Sequence, residues 1–231
     1  MKATKAPVPD SVAAPRRRFV VLPIAIYGIT LALIALLWWI GHVRHENVGR
    51  YFGEGRPGTT LTVIAFALGG IVAGQTWWLL RPDRFAWFWF AAAVGLIALA
   101  IDDQFKGHEA IGDVLTSLVG HGAVPGIDHL DDLVVAAYAP LAAVIAWPFR
   151  RRLLRLRGMI AYLAVGFAFF VLMALWDLRL SESYRLDPYA MEESFKLLSA
   201  VSIMVAMMSA KHALGLWGKD AKRKAPTPPD P

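Results

Sequence analysis

Six long apolar segments constrain this sequence more than any other feature. Each approaches the roughly 20 residues that an α-helix needs to cross a bilayer, and polar or charged stretches separate them. A soluble core is the weaker interpretation of a chain that is 57% hydrophobic and 18% charged. The pattern predicts an all-α integral membrane bundle of six transmembrane helices, with spans at about 19–40, 61–80, 85–101, 133–149, 159–176 and 193–217.

Both ends of the chain differ from the region between them. Residues 1–18 are polar and end in three arginines, whereas residues 218–231 are basic and rich in proline. Such compositions are typical of disordered tails, so we expect the membrane domain to comprise residues 19–217. The first span is longer than the apolar core of a signal peptide and no small-residue cleavage site follows it, so we expect it to be retained.

The basic residues predict the orientation. If the N-terminus is cytoplasmic and six spans alternate, 17 of the 24 lysines and arginines fall on the cytoplasmic side. Cytoplasmic loops of membrane proteins carry such an excess. We therefore predict a multi-pass protein of the inner (plasma) membrane with both termini in the cytoplasm. This topology accounts for the net charge of +6 without nucleic acid as a partner.

The acidic residues and histidines are distributed the opposite way. Under the same topology, 14 of the 18 acids and five of the six histidines lie on or near the outer face, and the rule for basic residues does not predict this. Residues 102–109, at the end of the third span, contain three carboxylates and one imidazole. Ionisable residues at a membrane edge are costly and are therefore functional candidates. Carboxylates and imidazoles in a chain without cysteine suit a divalent metal such as Zn, Fe or Mn.

Helical spacing favours convergence of these side chains. On one continuous helix Asp102 and Glu109 are two turns apart and share a face, whereas His108 points elsewhere unless the helix kinks at Gly107. Metal sites in helix bundles combine carboxylates and histidines from several helices. Glu109 is the predicted catalytic proton carrier. The predicted metal-binding set is Asp102, Asp103, His108, Glu109, His129, Asp132, Glu192 and Glu193.

Each of these residues also has a purely structural interpretation. Asp102 and Asp103 can cap the third span where it meets water, with Lys106 as a surface partner. Acids in the first turn of a helix interact favourably with its dipole, and Glu192 and Glu193 can have this role at the start of the sixth span. Glu192 and Lys196 are four residues apart in the favourable order for an ion pair. Both interpretations stay open at this point.

The octapeptide at 102–109, Asp-Asp-Gln-Phe-Lys-Gly-His-Glu, resembles the D-(D/E)-x-x-x-x-H-E signature of a set of uncharacterised bacterial multi-pass membrane proteins. In that set an apolar helix ends in paired acids, His-Glu follows, and a Glu-Glu pair opens a later helix. The resemblance implies the layout of the spans and no particular reaction. The matching positions are Asp102, Asp103, His108, Glu109, Glu192 and Glu193.

Three classes of function remain open, all with the lipid bilayer as partner. The first is a metal-dependent membrane enzyme that acts on a lipid or another hydrophobic substrate at the outer leaflet, with the ion activating water or polarising the substrate. The second is an ion or proton transporter with a relay of Asp102, Glu109 and Glu192. The third is a non-catalytic accessory or scaffold subunit, for which Gly70-x-x-x-Gly74 offers a surface for self-association or another membrane subunit.

Overall fold

The computed structural model describes residues 17–44, 47–53, 55–120, 130–176 and 187–223. All regular secondary structure in these ranges is helical. The helices are α1 (Arg17–Val43), α2 (Pro57–Leu80), α3 (Ala86–Phe105), α4 (Gly107–Val119), α5 (Asp131–Ala146), α6 (Arg150–Leu153), α7 (Arg157–Leu175) and α8 (Pro188–Arg223), with 3-10 helices at Val48–Tyr51 and Trp147–Phe149.

Within the described residues, six helical segments are long and apolar enough to cross a membrane. Each coincides with one of the predicted spans, so the prediction of an all-helical chain with six potential membrane crossings is confirmed. The segments are Val21–Val43, Pro57–Leu80, Ala86–Phe105, Leu133–Leu153, Arg157–Leu175 and Tyr189–Gly215.

The main differences lie at the ends of the helices. Pro57 is in the first turn of α2, where proline is favoured because its missing N–H would have no partner there. α8 continues to Arg223, so residues 218–223, which we expected to be disordered, are helical. The rest of the two expected tails, 1–16 and 224–231, lies outside the described residues.

α8 is the central helix of the bundle. In the most apolar window of Tyr189–Gly215, 67% of the residues are buried inside the chain, against none in that of Leu133–Leu153. α8 packs on α7, α2 and α1. Small residues allow the close approach that helices in a membrane favour: a Cβ added to Gly166 of α7 would lie 3.1 Å from the Cβ of Ser202 on α8.

The Gly70-x-x-x-Gly74 motif is used inside the chain. α2 packs along α3, and a Cβ on Gly70 would lie 2.9 Å from the side chain of Ile97 and 3.2 Å from the carbonyl oxygen of Ala93. The close helix approach that the motif indicates therefore occurs between α2 and α3. Self-association through these glycines stays a prediction.

The helix through the acidic stretch breaks at Lys106. This residue has φ 58° and ψ 39°, in the left-handed region, and its N–H donates to the carbonyl oxygen of Asp102 as α3 ends. The expectation that Asp102 and Glu109 share one continuous helical face is therefore wrong. The alternative of a kink beside Gly107 is the one observed, and it turns α4 so that His108 faces back towards Asp102. α4 then packs on α5, and both contact α3.

Candidate functional site

Two polar clusters lie side by side where α3 ends. Adjacent residues on an α-helix project about 100° apart, so Asp102 and Asp103 reach different neighbours. Asp102 contacts α4 and α5, whereas Asp103 contacts α8. We call the first group the histidine cluster (Asp102, His108 and Tyr138) and the second the lysine cluster (Asp103, Glu193 and Lys196).

In the histidine cluster, two side chains converge on one carboxylate oxygen. His108 Nδ1 lies 3.0 Å from Asp102 Oδ2, and the Tyr138 hydroxyl donates to the same oxygen at 3.2 Å. The side chains of His108 and Asp102 are 20% and 17% exposed. An ionised carboxylate only accepts hydrogen bonds, so Nδ1 is the donor when Asp102 is ionised. His108 Nε2 is then available as a base or a metal ligand.

Gly107 makes this contact possible. A Cβ at this position would lie 2.6 Å from Asp102 Oδ1, a separation that non-bonded atoms do not tolerate. Glycine therefore lets the carboxylate fold over the start of α4 and reach the imidazole of the next residue. The octapeptide at 102–109 thus builds its own His–Asp contact through a left-handed residue followed by a glycine.

The lysine cluster is the more buried of the two. Lys196 Nζ contacts Asp103 Oδ1 closely and lies 3.2 Å from Glu193 Oε1. The two carboxylate side chains are only 6% and 5% exposed, and that of Lys196 is 26% exposed. Two carboxylates and one ammonium give the cluster a net charge of −1 when all three are ionised. Asp103 Oδ2 and Glu193 Oε2 are buried with no hydrogen-bond partner among the residues that the structure describes.

The start of α8 is anchored to the chain that precedes α2. Asp187 accepts hydrogen bonds from the N–H of Gly49 at 2.8 Å and from the N–H of Ala190 at 3.2 Å. The Thr59 hydroxyl lies beside Glu193 and donates to the carbonyl oxygen of Phe52 at 2.9 Å. These contacts fix the first turns of α8 and so position the lysine cluster against α3.

The other predicted site residues are not all in these clusters. Glu109 forms an exposed ion pair with Lys106 at 3.1 Å. Lys106 is therefore a surface partner of an acid, as the structural interpretation proposed, but the acid is Glu109 and not Asp102 or Asp103. Tyr189 lies within electrostatic range of Glu109, Glu192, Glu193 and Lys196, so Glu109 and Glu192 lie in the neighbourhood of the lysine cluster. His129 lies outside the described residues, as does the side chain of Asp132.

A metal centre is not assembled by the residues that the structure describes, among which no group of three potential ligands could hold an ion. In the lysine cluster, Lys196 supplies the positive charge that a metal would bring to Asp103 and Glu193. His108 Nε2 is better suited to a metal because a carboxylate orients the ring from behind, as is usual for metal-ligating histidines. The predicted metal-binding set stays a prediction.

Sequence reasoning missed Tyr138, and it considered Lys196 only as a partner of Glu192. Tyr138 is the polar residue of an otherwise apolar span, and Lys196 is a cation inside an apolar helix. Both are signals, since polar groups in a membrane segment normally face a partner. The sequence gives no indication, however, that Tyr138 meets Asp102 or that Lys196 meets Asp103, because these contacts join different helices.

Comparison with known proteins places both clusters inside one family match. Residues 30–210 match the family model described as Domain of unknown function (DUF8692). This range covers more than half of the chain and contains Asp102, His108, Tyr138, Glu193 and Lys196. No curated protein and no solved structure matches the chain.

Proposed function

The chain belongs to the family Domain of unknown function (DUF8692), and we propose that it is an inner-membrane enzyme acting on a lipid or another hydrophobic substrate. In this proposal both termini are cytoplasmic, which the basic residues at 81–84, at 150–157 and in the two tails support. The ends of α3 and α8 that carry the two clusters then lie at the outer leaflet, within reach of lipid headgroups.

The contact between His108 and Asp102 is the observation on which the proposal rests. An imidazole whose Nδ1 is held by a carboxylate keeps one tautomer, and the carboxylate stabilises the imidazolium that forms when Nε2 accepts a proton. Tyr138 holds the same carboxylate oxygen and so positions Asp102. His108 is therefore the proposed general base, a role that the sequence had suggested for Glu109. The ion pair of Glu109 with Lys106 leaves it less suited to this role.

In an alternative form of the proposal, His108 binds a divalent metal instead of acting as the base. Its Nε2 would be one ligand, and the candidate ligands His129 and Asp132 precede and begin α5, the helix that carries Tyr138. A bound ion would activate water for attack on the substrate. The chain's own contribution in that case is the orientation of His108 by Asp102.

The decisive experiment compares His108→Ala with His42→Ala. His42 is in the last turn of α1 and belongs to neither cluster, so it is a matched histidine control. Purified protein in nanodiscs of bacterial inner-membrane lipid extract is incubated, and lipid classes are quantified by mass spectrometry. Loss of a general base typically costs about 10²–10⁴-fold in rate. We expect this loss in His108→Ala, a smaller loss in Tyr138→Phe, and wild-type turnover in His42→Ala.

Metal analysis of the same samples separates the two chemical forms of the proposal. Stoichiometric Zn, Fe or Mn in the wild type and in His42→Ala, but absent from His108→Ala, supports the metal-dependent form. Turnover that depends on His108 in metal-free protein supports the form in which His108 acts as a general base without a metal. Folded wild-type protein that converts no lipid and co-purifies with other membrane proteins contradicts the enzyme and favours a scaffold subunit.

An ion or proton transporter is the second candidate, because of the lysine cluster. Buried carboxylates around a lysine near a membrane edge are found in ion and proton pathways. The test is flux across liposomes containing the purified protein, monitored with a pH-sensitive dye trapped inside. A flux that disappears in Glu193→Gln and persists in His108→Ala would favour transport over catalysis.

A further inference from the structure

The segment 150–157, between α5 and α7, carries a concentration of arginines at the end of the bundle opposite to the two clusters. It contains five arginines and no acid. One of them, Arg152, is neutralised by Asp83 through two contacts of its Nη1 at 2.8 and 2.7 Å. The other four have no acidic partner among the described residues, so the segment presents a net positive charge of several units to its surroundings.

The start of this segment and the two residues before it form a cleft of about 370 Å³, which we call the arginine cleft. It is lined by Pro148, Phe149, Arg150, Arg151 and Arg152. This volume lies within the range of about 300–1,000 Å³ usual for small-molecule sites. Arg150 is held in place at its edge: its Nη1 donates to the carbonyl oxygen of Trp147 at 3.2 Å, and its Cζ lies 4.4 Å from the centre of the Trp147 ring. A preformed position reduces the entropy lost when the guanidinium binds an anion.

An exposed apolar surface leads directly to the arginine cleft. The membrane-length segment Leu133–Leu153 has no buried residue in its most apolar window, so α5 lies at the edge of the bundle. Leu141, Val144 and Trp147 are 59%, 70% and 65% exposed. These side chains face the hydrocarbon of the bilayer if α5 spans it, and Arg150 and Arg151 follow at the level where lipid phosphates lie.

We propose that the arginine cleft is a binding site for one anionic phospholipid. Its phosphate binds Arg150 and Arg151, and its acyl chains lie along Leu141, Val144 and Trp147 of α5. Guanidinium groups bind phosphate through paired charge-assisted hydrogen bonds, and basic pockets at the ends of membrane helices recognise anionic headgroups. The site is independent of the chemistry at His108.

The experiment measures retention of phosphatidylglycerol and of phosphatidylcholine with the same acyl chains by native mass spectrometry of the protein in detergent micelles. The test variants are Arg151→Gln and the double variant Arg150→Gln/Arg151→Gln. The matched control is Arg155→Gln/Arg157→Gln, which removes the same charge from the same segment outside the cleft. The single variant Arg151→Gln is included because it should fold normally: Arg151 has no side-chain partner in the described part of the chain.

We expect the wild type and the control to retain phosphatidylglycerol in preference to phosphatidylcholine. The double variant should bind phosphatidylglycerol at least about tenfold more weakly, and Arg151→Gln should lie between. Equal losses in the control and the double variant would show diffuse attraction and overturn the proposal, as would a wild type without headgroup preference. Inorganic phosphate that binds as tightly as phosphatidylglycerol would overturn the lipid as occupant.

Discussion

Replacing Lys196 by methionine tests the charge balance of the lysine cluster. The substitution keeps an unbranched side chain of similar length but removes the ammonium that Asp103 and Glu193 share. The cluster then changes from a net charge of −1 to −2, at a place where both carboxylate side chains are about 95% buried. Charge repulsion and desolvation act in the same direction, so the folded state must lose stability.

The magnitude follows from the geometry. At the 3.2 Å between Lys196 Nζ and Glu193 Oε1, Coulomb's law with an effective dielectric constant of about 20 gives about 5 kcal/mol for one ion pair. Removing one partner of a buried ion pair typically costs about 3–5 kcal/mol. We therefore expect Lys196→Met to lower the free energy of unfolding by about 3–5 kcal/mol. Glu193→Gln removes the excess negative charge and leaves the Asp103–Lys196 pair, so it should cost less than about 1.5 kcal/mol.

The assay is unfolding in mixed micelles with increasing SDS, followed by circular dichroism. Lys106→Met is the matched control: Lys106 is 47% exposed in its pair with Glu109, and such surface pairs contribute about 0–1 kcal/mol. The triple variant Asp103→Asn/Glu193→Gln/Lys196→Met has no buried charge and should recover most of the loss. The charge argument is wrong if Lys196→Met is no less stable than Lys106→Met, or if Glu193→Gln is as unstable as Lys196→Met.

Two further predictions follow from contacts outside the lysine cluster. Gly107→Ala should lower the free energy of unfolding, measured by thermal unfolding, by about 1–3 kcal/mol because its Cβ would displace the Asp102 carboxylate. The control Gly95→Ala, with open space around it, should be neutral or stabilising. Equal effects of the two substitutions would refute the steric argument. Partial burial raises the pKa of Asp83, but a backbone N–H and Arg152 outweigh it and hold the pKa below 3.8. The stability difference between wild type and Asp83→Asn should therefore be present at neutral pH and disappear as the pH falls below 3.8, whereas a difference that grows in acid would contradict this assignment.

The membrane segments were predictable because their signal is local. An apolar run of the required length, bounded by charges or turn residues, indicates a potential span without any knowledge of its neighbours. The break at Lys106 has no such signal, since a left-handed conformation of a non-glycine residue depends on its surroundings. From the sequence, the contact between His108 and Asp102 could therefore be expected only if the helix kinked beside Gly107.

Which span is central was not predictable from hydropathy. The segments in α1 and α7 have mean hydropathies of 2.3 and are 17% and 11% buried, whereas the segment in α8 has a mean hydropathy of 1.5 and is 67% buried. Lipid tails are as apolar as the side chains of an apolar helix, so burying such a helix inside the bundle gives no hydrophobic stabilisation. Contacts between helices are favoured instead by small and polar residues. The serines of α8, together with Glu193 and Lys196, are the sequence signal of its position. The contact of Tyr138 with Asp102 has no comparable signal because it depends on the rotation of α5.

The central position of α8 has a consequence for how the protein is made. Chains are synthesised from the N-terminus, so the other five potential spans leave the ribosome before the helix around which three of them pack. The main helix partner of both α1 and α7 is α8, and neither can complete its packing until α8 has entered the bilayer. A nascent chain that has not reached Pro188 is therefore inserted but not assembled, with Gly166 and the face of α2 that packs on α8 open to lipid. Until the last span is inserted, the earlier helices lack their packing partner, so membrane quality control can recognise the chain as unassembled.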